Sequence, residues 1–516
     1  MIIGVNSLTK SIKVKPPALP IIIFGGSPIK VAVPPIFDEK ISVNKNGIGS
    51  IFNFLAMANV NIPYTYEKSL SLPYNVLHTD LKWSTNTEDK KRASKYIESI
   101  LLMLRTKVLL NNGDLSKTEI VWFYPASMTQ NRFNKFKAEW ENTFATLFGA
   151  PISNIIAASE SVAPYYYHKA KKGATSTVVS VDIGGGTTDV LIVDKGEPKY
   201  LTSFRFAANT IFGDGYSYDS DSNGFVNKYK DIITNQLETN NLRGLKAVLK
   251  SVLDKRVSTD VIAFLFSLAS NKEIKKEKVE INFAKMLADD NRGKYVVILF
   301  YVAIVYHIAK LMKAKGFDMP RHMTFSGNGS KVLNILSTND ATLVRLTKII
   351  FEEIYAQSYS IDGLDIIRPA NSKESTCKGG IILTPFQSQD YGEIKDMKTI
   401  LIGTDNEKFA DVHMTYNDVT EADLDSVVDV IKEYIEFTFK LDKKFSFYDN
   451  FDVDRSIMNK VKDLCYRDIR TYLENGLAIK KSEIAQDGAD DNLEETLFFY
   501  PLVGIINAVV RNIYQM

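Results

Sequence analysis

Two cysteines serve 516 residues, Cys377 and Cys465, far apart and without partners at metal-ligand spacing. That excludes a disulfide framework and makes a reducing cytoplasm the expected location. Histidine is as scarce: His78, His168, His307, His322 and His413 are scattered, and no H-x-x-x-H pair offers a catalytic zinc site. Charge of one sign is missing too. With 63 basic against 61 acidic side chains the net charge is +2, so no global field recruits nucleic acid or an anionic membrane. The first residues show no secretory pattern, since the apolar stretch 19–24 is short and no clean small-residue cleavage site follows. Apolar runs long enough to span a bilayer are absent as well. Residues 295–306 are wholly apolar, and the pattern continues through Ile308, Ala309, Leu311 and Met312 past His307 and Lys310. About a dozen uninterrupted residues fall short of the roughly 20 needed. A buried helix at the centre of a large domain is expected, with no membrane span.

What is present is an ordinary globular composition, 45% hydrophobic and 24% charged. A chain of this length suggests two to four folding units. No repeat or low-complexity run interrupts it.

The most informative stretch is 178–193, V-V-S-V-D-I-G-G-G-T-T-D-V-L-I-V. Two β-branched runs flank Asp182, Gly184, Gly185, Gly186, Thr187, Thr188 and Asp189, which predicts strand, tight turn, strand. Three consecutive glycines permit positive φ and let backbone N–H groups approach a ligand. N–H groups curled in this way suit phosphate oxygens, and an aspartate at the strand end suits a hydrated Mg²⁺ carried by them. The wording is neither a P-loop nor a Rossmann turn.

This stretch resembles the second phosphate motif of the actin, sugar-kinase and DnaK-type chaperone ATPase superfamily, closest to the DnaK-like and bacterial-actin branches. Upstream, a strand over 119–124 runs into Pro125, a helix spans 131–148, and I-S-N-I-I-A-A-S-E reaches Glu160. Their order is similar to the chaperone branch, where an acidic residue ends the second strand. Near the start, I-I-G-V-N-S-L-T (2–9) stands where a first phosphate motif would open the domain, but Asn6 replaces the aspartate and no glycine follows. Downstream, 199–215 predicts a strand and a turn at Gly213-Asp214-Gly215, and 224–315 is mainly helical. A strand over 322–326 then enters Gly327-Asn328-Gly329-Ser330, with a helix from about Lys331, which resembles the superfamily's adenosine motif. E-S-T-C-K-G-G-I-I-L (374–383) resembles the closing helix of the second lobe, with Gly379 and Gly380 read as packing residues. Beyond 384 the helical period at 421–439, 456–477 and 498–513 carries no resemblance.

The resemblance implies an α/β, two-lobed actin-like ATPase fold with ribonuclease-H-like lobes and an additional mainly helical C-terminal region. The expected division is a first lobe over 1–195, a second lobe with a helical insertion over 196–385, and an extension over 386–516. ATP and Mg are the implied cofactors. Asp182, Thr187 and Glu160 would do the chemistry, with Asp182 meeting Mg through water. Gly184, Gly185, Gly186, Thr188, Gly213, Gly327, Asn328, Gly329 and Ser330 would bind the nucleotide. The implied function is a nucleotide-dependent conformational switch with weak hydrolysis, its protein partner engaged through the C-terminal helices. An actin-like filament or scaffold and a small-molecule kinase are the alternatives.

Overall fold

A computed structural model of the chain describes residues 3–7, 86–125, 128, 130–160, 162–172, 177–217, 219–254, 256–360, 363–369, 372–382, 415–487, 493 and 495–514. The apolar stretch 19–24 and all of the stretch 2–9 except 3–7 lie outside the described residues.

Strand β1 (Ile3–Ser7) pairs antiparallel with β2 (Thr118–Tyr124), which pairs parallel with β3 (Ile155–Ser159). Helix α1 (Thr87–Leu110) begins at Asn86, whose side chain accepts from the N–H groups of Glu88 and Asp89. It and α2 (Gln130–Phe148) cover one face of this sheet. There Trp122 stacks on Trp140 with centroids 5.6 Å apart, inside a core that holds Ile97, Leu101 and Phe144. Alternation along β2 sends Val121 and Phe123 to the opposite face, against α3 (Val162–Lys172).

The second sheet has the order β6-β5-β4-β7-β8. Strands β4 (Val178–Ile183), β5 (Thr188–Asp194) and β6 (Glu197–Phe204) form an antiparallel meander. Strands β7 (His322–Ser326) and β8 (Asp365–Ile367) extend the sheet in parallel from β4. Val178, Leu191, Val193 and Leu201 pack with Val162, Ala163 and Tyr165, so α3 lies between the two sheets.

The other face of the second sheet holds the large core. Its elements include α4 (Ala208–Phe212), α5 (Gly224–Thr239), α6 (Lys294–Ala314), α7 (Asp340–Tyr355), α9 (Glu421–Phe445), α10 (Ile469–Asp487) and α11 (Phe499–Asn512). One further helix, α8 (Ser372–Ile382), packs against α3 instead. By length and composition α6 could cross a membrane, yet it is buried on nearly every side by protein. Asp290 anchors its start. That carboxylate accepts from Gly293 N–H (3.1 Å), Tyr229 OH (3.0 Å) and Tyr514 OH (2.5 Å), and pairs with Lys228 (2.8 Å). Burial alone would raise its pKa; the bonds from Lys228, Tyr514 and Gly293 outweigh it and hold the carboxyl below its usual range.

The region after 415 is therefore built into the core of the second sheet. Phe499 of α11 stacks on Phe204 of β6 at 4.0 Å, and Glu495 accepts from the backbone N–H of Arg205 at 2.9 Å. Near the start of α10, where a single helix over 456–477 was expected, Asp468 takes positive φ and separates Met458–Cys465 from α10. Gly379 and Gly380 do serve packing: a Cβ on either would collide, with the Ala163 carbonyl and the Phe123 ring respectively.

Candidate functional site

Strand parity decides which side chains reach the carboxyl end of the second sheet. Val179, Val181 and Ile183 point into the large core, whereas Val178 joins the packing around α3. Alternation puts Ser180 and Asp182 on the Val178 side. Asp182 is 7% exposed, and its Oδ2 accepts from the Thr376 hydroxyl of α8 at 3.5 Å.

The turn between β4 and β5 is closed by Gly184 N–H donating to the Thr187 carbonyl at 2.8 Å. None of Gly184, Gly185 and Gly186 takes positive φ, contrary to the expectation from three consecutive glycines. Nothing in their backbone angles requires glycine, and a Cβ on Gly185 would meet only the Asn209 side chain. Gly185 and Gly186 are exposed, and among the described residues nothing accepts their N–H groups. Two unsatisfied donors on a side-chain-free turn fit phosphate oxygens. Thr187 is buried beside Gly184. The Thr188 hydroxyl is committed to the Phe206 carbonyl at 2.6 Å, so that side chain fastens the hairpin.

A second loop meets the hairpin from β7. Gly327 takes φ +80°, and a Cβ there would collide with the Ile183 carbonyl oxygen and the Asp182 carboxylate. Both contacts and the left-handed backbone require glycine. Gly329 is equally close, its Cβ position falling against the Gly184 carbonyl oxygen and 2.8 Å from that of Ile183. The Ser330 hydroxyl donates to the Gly327 carbonyl at 2.7 Å, and a short 3₁₀ turn, Gly329–Val332, leads into the helix Leu333–Leu336. Asn328 is half-buried between the two glycines.

The remaining expected residues attach less directly. Gly213 ends α4, where a Cβ would strike the Asn209 carbonyl and where its own carbonyl accepts from Asn223 at 2.6 Å. It reaches the hairpin only through α4, whose Ala208 and Asn209 N–H groups donate to Gly184 and Gly185 carbonyls at 3.3 and 2.8 Å. Glu160 follows β3 in the first sheet, half-buried, with its N–H bonded to the Tyr124 carbonyl at 3.0 Å. Its connection to Asp182 runs through α3 and α8. Asn6 lies in β1, opposite Glu119, and Leu8 and Thr9 are outside the described residues.

Two residues were missed in the sequence. Asn209 is exposed on α4 with Oδ1 3.4 Å from a Cβ placed on Gly185, so its amide borders the turn. The run F-A-A-N-T-I-F-G has no capping side chain at Ala207 to announce a helix, and the segment reads as strand and turn. Thr376 sits in a stretch legible only as a packing helix.

Magnesium fits this arrangement as an ion delivered with phosphates. Among the described residues no group of three His, Cys, Asp or Glu could hold a metal alone. Asp182 supplies one carboxylate, and water and phosphate oxygens would have to complete the shell.

No family profile and no curated protein matches the chain. Among solved structures it is similar to the ethanolamine utilization protein EutJ from Carboxydothermus hydrogenoformans. The two are 12% identical with a TM-score of 0.23, over 51% of this chain and 64% of that one. The chain thus spans less than two thirds of EutJ's length.

Proposed function

We propose that the chain binds Mg–ATP at the carboxyl ends of β4 and β7 and acts as a nucleotide-dependent conformational switch whose hydrolysis is slow. One observation carries this reading: the 184–187 turn and the 327–330 loop meet backbone to backbone, at positions where no Cβ fits. Two glycine loops converging beyond the carboxyl ends of adjacent parallel strands make a place where a ligand can lie directly on main chain. The exposed turn offers N–H donors to phosphates, and the Gly327–Ser330 loop offers a flat backbone to a purine.

Each residue has a task in this reading. Asp182 orients hydrated Mg²⁺, Gly185 and Gly186 donate to phosphate oxygens, and Thr187 with Glu160 orients water. Bound magnesium would supply charge neutralisation at the phosphates. Phosphoryl transfer depends mostly on such placement and charge, so binding and turnover separate when one group is missing. A protein partner reading the nucleotide state would engage the helices after residue 415, whose core is continuous with that of the second sheet.

Calorimetric titration with Mg–ATP tests the proposal. Wild-type protein should bind it, and Asp182→Ala should lose the magnesium-dependent part of the affinity while still folding. Unchanged affinity in Asp182→Ala would refute the assignment.

A further inference from the structure

We propose that Thr376 is a positioning residue for the Asp182 carboxylate, so that α8 sets the affinity of the site for Mg²⁺. The inference rests on the Mg–nucleotide reading above and adds a residue that the glycine loops do not contain.

Residues 375, 376, 379 and 380 form one stripe of α8, spaced i, i+1, i+4 and i+5 along the helix. All four are buried, whereas Lys378, Ile381 and Ile382 are exposed. The stripe divides into two halves. Its distal half is the Gly379-Gly380 pair, where any Cβ would strike Ala163 of α3 or Phe123 of β2. The missing side chains let the helix axis approach α3 and the first sheet. Its proximal half is a pair of hydroxyls, Ser375 and Thr376, each 1% exposed. Thr376 Oγ1 donates to Asp182 Oδ2 at 3.5 Å, and the Ser375 hydroxyl, among the described residues, has no partner.

Asp182 is thus held from two sides. Its Oδ1 lies against Gly327 Cα, where no side chain can intrude, and its Oδ2 faces Thr376. A carboxylate with one oxygen walled by backbone and the other met by a hydroxyl has little freedom in χ1 and χ2. Removing the hydroxyl leaves the carboxylate present but takes away the contact that holds its Oδ2 toward α8. The contact is long for a hydrogen bond, which sets the expected effect at the modest end. Because Thr376 belongs to a helix clasped to α3, the position of Asp182 is tied to the first sheet, where Glu160 resides.

The test compares Thr376→Val, nearly isosteric but without the hydroxyl, with Thr376→Ser, which keeps it. ATP binding is measured by calorimetry across a Mg²⁺ series and in EDTA, and melting is followed in EDTA. Thr376→Val should need about three- to tenfold more Mg²⁺ for half-maximal binding, the effect of one weak hydrogen bond to a charged group. Its metal-free ATP affinity should be unchanged, and Thr376→Ser should restore the magnesium requirement. If Thr376→Val does not fold, Thr376→Ala carries the same comparison. An unaltered Mg²⁺ requirement overturns the proposal. So does an equal loss with and without metal that Thr376→Ser fails to restore, since that pattern belongs to packing alone. Wild-type protein that bound ATP with no response to Mg²⁺ would instead overturn the Mg–nucleotide reading, and this inference with it.

Discussion

Gly185 and Gly329 separate binding from folding, because alanine meets different surroundings at each. At Gly185 the backbone is outside the left-handed region, and a new Cβ meets only the Asn209 side chain, at 3.4 Å from Oδ1. That is ordinary contact with a side chain able to move. Alanine also restricts the unfolded chain, which at compatible positions stabilises by about 0.4–1 kcal/mol. Gly185→Ala should therefore melt at or slightly above the wild-type temperature. Binding behaves otherwise. A methyl on the exposed turn displaces phosphate oxygens from the Gly185 and Gly186 N–H groups, and a hydrogen bond to a charged group contributes about 1.5–3 kcal/mol. Mg–ATP affinity should fall about 10- to 100-fold, at 1.4 kcal/mol per factor of ten. At Gly329 the Cβ would sit 2.8 Å from the Ile183 carbonyl oxygen, and closer still to that of Gly184. Ordinary carbon–oxygen approach is about 3.3–3.6 Å, and backbone cannot swing aside as a side chain does. Overpacking of this kind costs about 1–3 kcal/mol. Gly329→Ala should lose both stability and binding. Differential scanning calorimetry with Mg–ATP titration of the same samples reads both quantities. Wild-type affinity in a well-folded Gly185→Ala protein would refute the phosphate role of the turn.

Two other predictions concern turnover and acid. Asn6 stands where the resemblance expects an acidic residue, and losing one charge-stabilising group commonly costs about 10²–10³ in rate; steady-state phosphate release at saturating ATP should be slow, and brisk turnover would overturn that expectation. Burial among Phe204, Phe498 and Phe499 lowers His307 from 6.5 to about 3, with both ring nitrogens unpartnered among the described residues. Below pH 6.5 the unfolded chain takes up a proton that the folded chain refuses, so this group removes up to about 1.4 kcal/mol per pH unit as pH falls toward 3. His307→Phe should flatten the acid side of the melting-temperature profile between pH 7 and 4, and an unchanged slope would count against a neutral buried imidazole.

The hairpin and the 327–330 loop were legible because both rest on local chemistry. β-branched runs broken by glycines announce strands and turns wherever they occur, and β4, β5 and β7 begin and end close to where the pattern put them. The reason for the glycines was less legible. Sequence cannot tell a residue that needs positive φ from one that needs an absent Cβ. Gly327 has both demands; Gly184 has only a mild form of the second, its Cβ position 3.1 Å from the Thr187 carbonyl oxygen, and Gly185 has neither, since a Cβ there meets only the movable Asn209 side chain. Asn209 and Thr376 were hidden for another reason. Each acts on a partner far along the chain, and no periodicity marks a single polar contact across 194 residues, the separation of Asp182 and Thr376.

The last third of the chain shows the same limit on a larger scale. A helical period in 421–439 or 498–513 states that one face will be buried, but not against what. Phe498 and Phe499 could have closed a separate helical bundle as readily as they close the core over β6. What directs them to the sheet is a set of polar contacts that no period contains. Glu495 accepts from Arg205 N–H and from Tyr500 OH, and Arg205 itself bonds Glu483 of α10 at 2.6 Å. At the other end Tyr514 donates to Asp290 and Arg292 bonds Asp454 at 3.1 Å. Glu495 and Asp290 are buried, and a buried charge is costly when its partners are removed, because it stays desolvated. They therefore select one docking among many that apolar burial alone would allow. The same logic joins the C-terminal helices to the candidate site. α4 connects the 184–187 turn to Gly213, and Gly215 beside it takes φ +58° against Asn507 of α11. The proposed switch would thus have a continuous packed route from the hairpin to the C-terminal helices, through one short helix and one glycine turn.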